Sequence, residues 1–409
     1  MAKRRSSAER AAREAAKRNP KAFFTAVIVI LVIALIAAAC WYFLVYKNRD
    51  EQSPGGDDSQ NGGGTTVGDG NQTEIVSADL SIHFIAPAVK ASGDCSLIKV
   101  GDTEVLIDAG PNKENTAEIL DYLETYCTDN VLEYVIATHS DSDHISGFVG
   151  SSSGGKRNGI FYSDYRIETL IQFDRHKDNT ALYRDYCEAV DQIREQGTQV
   201  YTGLQCWNSQ DGAQRTYYLD DAQTVSMNIL YNYFYDHDSD DNNNYSVCML
   251  LSQELDGNTT NHYLFTGDLE KEGEEHLVEY NELPHVVLYK AGHHGSKTSS
   301  NDVLLKEITP EYVVVCCCAG YNQYGAAEEN VFPTQAFCDR ISAYTDKVYV
   351  TIMWDEDNNG FRDMNGDIVF YYGKGESETE KTLKLWCSNN MTVLKDTDWF
   401  RQNRTWGGE

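Results

Sequence analysis

Thr138-His139-Ser140-Asp141-Ser142-Asp143-His144-Ile145-Ser146-Gly147 sets two imidazoles and two carboxylates within six residues. The stretch follows the apolar run Val131 to Ala137, whose pattern predicts a strand running into a loop. Ligand-type side chains at alternate positions on a strand end can converge on one or two divalent ions, an order that a solvated loop does not require. Three further pieces put polar groups at predicted strand ends: Asp108-Ala109-Gly110, Phe265-Thr266-Gly267-Asp268, and Lys290-Ala291-Gly292-His293-His294-Gly295-Ser296. Asn242-Asn243-Asn244-Tyr245-Ser246 opens the strand before Asp268. Strand ends on one edge of a sheet give a site rigid support.

The elements that must carry these groups begin at Leu80. Short apolar runs predict strands at Ser81 to Ala86, Cys95 to Val100, Glu104 to Asp108, Val225 to Phe234, Tyr245 to Ser252, Tyr263 to Thr266 and His285 to Tyr289. Helical spacing covers Glu114 to Cys127, Asn179 to Glu195 and Glu270 to Tyr280. Strands first and mixed αβ units later predict an α/β fold of sheets covered by helices.

The N-terminal region reads differently. Residues 1–21 hold eight Lys and Arg among alanines, a basic cytoplasmic segment. Residues 22–46 carry no charge and are long enough to cross a bilayer core of roughly 30 Å, so they predict one transmembrane helix. A cleaved signal peptide fits less well, because the apolar run continues through Trp41-Tyr42-Phe43-Leu44-Val45. Residues 47–77, rich in Gly, Asp, Asn, Ser and Thr, predict a flexible linker, and residues 78–409 the folded domain. The basic excess leaves that domain outside the cytoplasm, on a single-pass protein of the cell membrane.

The whole chain carries a net charge of -29, and the first 46 residues carry +6, leaving -35 for the remainder. A field of that sign repels polyanions at long range, so long nucleic acid would need a local basic groove. The eleven cysteines contain no CxxC pair, which argues against a cysteine zinc site. Those in the run around Cys316, Cys317 and Cys318 predict packed, reduced thiols. Asp355 to Gly360 resembles the start of a calcium loop, but Gly366 stands where a bidentate Glu is required, so it reads as a solvated turn. The Tyr-rich stretch Tyr217 to Tyr235 reads as half-buried strand rather than a stacking surface.

The order HxDxDHxxG, then TGD, then HHGS is similar to that of the metallo-β-lactamase superfamily. With Gly93-Asp94-Cys95-Ser96 and Val105-Leu106-Ile107-Asp108-Ala109-Gly110, the chain resembles the extracellular metallo-hydrolase domain of ComEC-type competence proteins over about residues 80–373. The resemblance implies a four-layer αββα sandwich with two divalent metal ions, zinc or manganese, between its sheets. It implies that His139 and Asp141 ligate one ion, Asp143 and His144 the other, with Asp268 bridging and His294 completing the second subsite. Asp141 stands where many members carry a second His, which hardens the first subsite and admits manganese. Asn243 or a neighbour would face that subsite.

In such a site a bridging water loses a proton near pH 7, by a fall in pKa from 15.7 to about 7. Asp143 would hold this machinery in place, and His293 would serve as a general acid or support its neighbours. The implied function is a phosphodiesterase or nuclease acting on nucleic acid or a cell-surface polymer. The alternatives are a choline-phosphate or teichoic-acid type esterase, and a surface binding module with a structural or degenerate metal site. One departure stands out: after Tyr324-Gly325, where ComEC-type proteins reach a His-Pro pair, this chain has Phe332-Pro333. No protein partner is evident beyond the membrane itself.

Overall fold

Strands buried on both faces need cover on both faces, and the apolar runs of this chain are arranged to receive it. The computed structural model describes residues 70–407, apart from 88, 256, 258, 326 and 375–380. The chain divides into two units, Met1–Thr66 and Val67–Glu409, and all described residues belong to the second. The predicted basic segment 1–21, transmembrane helix 22–46 and most of the linker therefore lie outside the described residues. Among the described residues no helix is long and apolar enough to cross a membrane.

Two eight-stranded sheets form the frame. The first runs in the order Lys381–Cys387, Ile368–Lys374, Ser81–Phe84, Ser96–Val100, Thr103–Ile107, Val131–Ala137, Arg166–Gln172, Gln199–Thr202. Its last four strands are parallel to one another. The second runs Gly360–Asp363, Val348–Asp355, Tyr312–Ala319, Leu288–Lys290, Thr260–Phe265, Met249–Glu254, Val225–Ile229, Thr216–Tyr218, with a parallel block from Val348–Asp355 to Thr260–Phe265.

The period of two along the second sheet separates its faces. Val314 and Cys316 point into the core shared with the first sheet, whereas Val313, Val315 and Cys317 point into a second core. In the shared core Phe84 of one sheet stacks on Phe265 of the other, with centroids 6.1 Å apart. The second core is closed by Leu277, Leu304, Leu305, Phe337 and Ile341, from the helices Lys271–Tyr280, Asp302–Ile308 and Gln335–Ile341. The helices Thr116–Tyr126, Ser142–Val149 and Ala181–Glu195 cover the first sheet. Helix, sheet, sheet, helix is the predicted order of layers. All ten described cysteines are free, and all but Cys187 are buried.

Three expectations need correction. Part of the predicted linker, Gly70–Val76, is helical: Ile75 is buried in the core and Glu74 pairs with Lys384 at 2.6 Å. The predicted strand Val225 to Phe234 stops at Ile229, because the Asn232 side chain donates to the carbonyls of Asn244 and Ser246 and accepts from Phe234 N, turning the chain. The loop expected to hold Asp143 and His144 is the first turn of the helix Ser142–Val149.

Because the shared core holds the sheets together, Phe265→Ala is expected to lower stability by about 3–5 kcal/mol. Urea unfolding followed by circular dichroism checks this, and a loss under about 1 kcal/mol would mean that the sheets are joined elsewhere.

Candidate metal centre

The ends of the parallel strands in both sheets supply the site. After Ile107 the chain enters the left-handed region at Asp108 (φ 58°), which turns its carboxylate back beneath the next strand. There Asp108 accepts from Thr138 N at 2.8 Å and from Thr138 Oγ1 at 2.7 Å. The following backbone is stitched to the helix Ser142–Val149: Ala109 N donates to His144 O at 2.7 Å and Gly147 N to Ala109 O at 2.6 Å. Gly110 permits this approach, since a Cβ there would stand 1.6 Å from Asp143 O.

Each imidazole has one nitrogen committed to the protein. His144 Nδ1 bonds Asp108 Oδ2 at 2.7 Å, His294 Nδ1 bonds Cys316 O at 2.9 Å, and His139 Nδ1 lies 3.1 Å from Thr138 Oγ1. The other nitrogens face a common space: Nε2 of His139, His144 and His294 are all buried without a hydrogen-bond partner. His144 Nε2 and His294 Nε2 each stand 3.1 Å from Asp268 Oδ2, and His294 Nε2 stands 3.3 Å from Asp143 Oδ2. Rings whose outer nitrogen is fixed and whose inner nitrogen is orphaned are oriented as metal ligands are. Four groups have ligand atoms within 4.8 Å of one another: His139, His144 and Asp268; Asp143, His144 and His294; Asp94, Asp268 and His294; and Asp94, Asp108 and His144. The donors fit a divalent cation of zinc or manganese type.

Electrostatics agree with that fit. Burial opposes ionisation of Asp268, yet His144, His294 and Lys290 hold its carboxyl well below the usual range. Burial likewise opposes charge on His144 and His294, and the surrounding aspartates, Asp268 foremost, hold both well above the ordinary imidazole value. His139 is lowered to about 3 by burial and by the neighbouring His144, so its lone pair is free at neutral pH.

Of the residues singled out from sequence, His139, Asp143, His144, Asp268 and His294 come together. Asp141 stands at the margin: its Oδ2 is 4.0 Å from His139 Nε2, while Oδ1 accepts from Asn242 Nδ2 at 2.9 Å. His293 does not join them: it and His294 are consecutive left-handed residues (φ 43° and 51°) whose ring planes stand 72° apart. Its Nδ1 lies 3.2 Å from Thr298 Oγ1, 3.4 Å from Glu270 Oε1 and 3.4 Å from Asn243 Nδ2. Asn243 thus meets His293, and its neighbour Ser246 reaches His139 Nδ1 at 3.5 Å.

Sequence reasoning passed over Asp94, Asp108 as a ligand support, and Tyr324. Asp94 is 3% exposed and pairs with Lys290, itself 2% exposed, whose Nζ is also 3.5 Å from Asp268 Oδ1. A lone carboxylate at the mouth of a buried strand was the available signal. Behind the site, a clamp fixes the loop after His294. Glu274 accepts from Ser300 N at 2.5 Å and Asn301 N at 2.8 Å, while Arg340 donates to the carbonyls of Ser299 at 2.8 Å and Ser300 at 2.9 Å.

Residues 90–151 match the model of the metallo-beta-lactamase superfamily, in agreement with the resemblance drawn from the motifs. A stretch of 119 residues is 34% identical to the competence protein ComA of Neisseria gonorrhoeae. That alignment covers 29% of this chain and only 15% of that protein. Among solved structures, the metallo-beta-lactamase fold protein YhfI from Bacillus subtilis is 11% identical with a TM-score of 0.36, over 68% of this chain and 97% of that one. A possible metal-dependent hydrolase from Veillonella parvula is 10% identical with a TM-score of 0.35, over 69% of this chain and 99% of that one. The chain has a metallo-β-lactamase-type segment in an α/β fold, and its buried His and Asp groups fit a metal site.

The clamp gives a pH-dependent expectation. Burial pushes the Glu274 carboxyl up to about 7, against the pull of the Asn301 and Ser300 donors and Arg340. A folded pKa above the unfolded one means that this contribution is full below about 4.5 and is lost as pH rises through about 7. Wild type is therefore expected to lose up to about 3 kcal/mol more than Glu274→Gln between pH 4.5 and 8 in urea unfolding. Parallel pH profiles would show that the carboxyl titrates alike in the folded and unfolded chains.

Proposed function

We propose that this chain is a hydrolase of phosphodiesters that uses two divalent ions, zinc or manganese, held by His139 and Asp268 on one side and by Asp143, His144 and His294 on the other. The observation that carries the proposal is the gathering of three buried, unpartnered Nε2 atoms in one group of carboxylates: those of His144 and His294 stand 3.1 Å from Asp268 Oδ2, and His139 has a ring nitrogen within 4.8 Å of the same carboxylate. The charges support two ions: five carboxylates, Asp94, Asp108, Asp141, Asp143 and Asp268, lie in or beside the cluster, and the one ammonium there, Lys290, meets Asp94 and Asp268, which leaves four negative charges that two dications would neutralise. When bound, such ions act as Lewis acids, and they lower the pKa of water from 15.7 towards about 7.

The protein's own residues do the rest. Asp108, the Cys316 carbonyl and Thr138 hold each ring's Nδ1, so every ligand presents Nε2 without reorganisation. Lys290 neutralises Asp94 and holds the outer oxygen side of Asp268, so that Oδ2 is the oxygen facing both rings. His293 has Nδ1 against Glu270 and Thr298, which leaves Nε2 as the nitrogen that can hold a proton for a leaving oxygen.

The net charge of -29 weighs against long nucleic acid, and less against a choline-phosphate or teichoic-acid type ester of the cell surface. We also read residues 22–46 as a single membrane anchor with the hydrolase domain outside the cell, on the basic excess of residues 1–21.

The test is hydrolysis of bis(p-nitrophenyl) phosphate by the full-length chain in detergent with manganese or zinc. Turnover is expected to fall about 100-fold or more in Asp143→Asn and His144→Ala. No turnover above those variants, with either metal, would sink the proposal.

A further inference from the structure

The chain leaves the second sheet after Ala319 and returns at Thr334, ahead of the helix Gln335–Ile341. Between them a strap crosses the mouth of the metal centre. At its middle the Tyr324 hydroxyl donates to Asp143 Oδ2 at 2.5 Å, joining residues 181 positions apart. The phenol is aimed by its neighbours. Gln323 Nε2 donates to the same hydroxyl at 2.9 Å, so the hydroxyl accepts there and has its one proton left for Asp143. Gln323 Oε1 in turn accepts from Ser92 N at 2.7 Å, two residues before Asp94.

Rings complete the support. Tyr324 lies against Phe332 with centroids 5.1 Å apart, and Phe332 lies 5.7 Å from His293 and 6.2 Å from His294. Farther along, Glu329 pairs with Lys297 at 3.0 Å and ties the strap to the loop that follows His294. Gln323 and Phe332 thus direct one hydroxyl at one oxygen, although the residue is 42% exposed.

The contacted oxygen matters. Asp143 Oδ2 is the atom 3.3 Å from His294 Nε2, on the face of the Asp143, His144 and His294 group. Among the described hydrogen bonds, Tyr324 makes none to His139, which is grouped with His144 and Asp268 and not with Asp143. A carboxylate at the start of a helix turns about two bonds, and a fixed donor selects which lone pair it presents. Hydrogen bonds of this kind to a ligating carboxylate are typically worth about 10–100-fold in metal affinity.

We infer that Tyr324 is a positioning residue of one metal subsite: by fixing Asp143 it sets the affinity of the Asp143–His294 position for a divalent ion and leaves the His139 position untouched, an assignment that rests on the two-ion reading above. The strap thereby makes the two positions unequal.

The experiment is a calorimetric titration of manganese into the full-length chain, stripped with chelator and held in detergent, with free manganese followed in parallel by paramagnetic resonance. Asp143→Asn identifies the binding step that belongs to its subsite, by removing it. Tyr324→Phe, which keeps the ring and loses only the hydroxyl, is expected to weaken that same step by about 10–100-fold and to shift the other by less than about twofold. A Tyr324→Phe titration that overlays wild type overturns the assignment, and so does weakening of the step that Asp143→Asn leaves intact. If wild type binds a single ion, the two-ion reading falls, and the Tyr324 assignment still stands or falls on whether Tyr324→Phe weakens that one step.

Discussion

Asp94, Asp108, Asp143 and Asp268 are almost inaccessible to water, and the ammonium that shares their space is that of Lys290. Carboxylates gathered in this way repel one another and have lost their hydration, a cost that a single lysine cannot offset. Two substitutes for solvent are available to the protein. One is proton binding at His144 and His294, which the surrounding aspartates favour. Divalent ions supply more charge at the same nitrogens, so metal and proton compete, and metal binding strengthens as pH rises. The sandwich, the stitched strand ends and the clamp on the loop after His294 all serve to hold this cluster against its own repulsion.

The cluster was legible in the sequence where its members are neighbours, and illegible where the fold brings strangers together. His139, Asp143 and His144 announce themselves because a strand end followed by a helix start compresses ligands into six residues. Asp268 and His294 were found through the same logic, each at the end of a parallel strand. Sheets covered by helices followed from the order of strands and helices, whereas the four-layer order came from the resemblance; the alternation of Val313 to Cys317 between two cores is its physical form. Strand ends were less legible: Asn232 stops a strand through side-chain bonds to residues 12 and 14 positions away, which no local pattern encodes. Tyr324 lay farther out of reach, since nothing around it marks a partner 181 positions earlier. Asp141 shows the converse, a motif position that the fold sets at the rim of the groups rather than among them.

The contrast between the outer field and the inner site bears on substrate. A chain with pI near 4.6 disfavours approach of polyanions, whereas the inner cluster is built to gather cations. The cation best placed to meet an anion from outside is one bound at the orphaned nitrogens. Recognition of a phosphodiester would then be local, at the metal centre, rather than spread along a basic groove.

The most direct measurement is the anomalous scattering of crystals of the protein grown with zinc, recorded on either side of the zinc absorption edge. The account predicts strong anomalous peaks among Nε2 of His139, His144 and His294 and the carboxylates of Asp143 and Asp268. An intact ring of these side chains with no anomalous density inside it, at saturating zinc, would contradict the account.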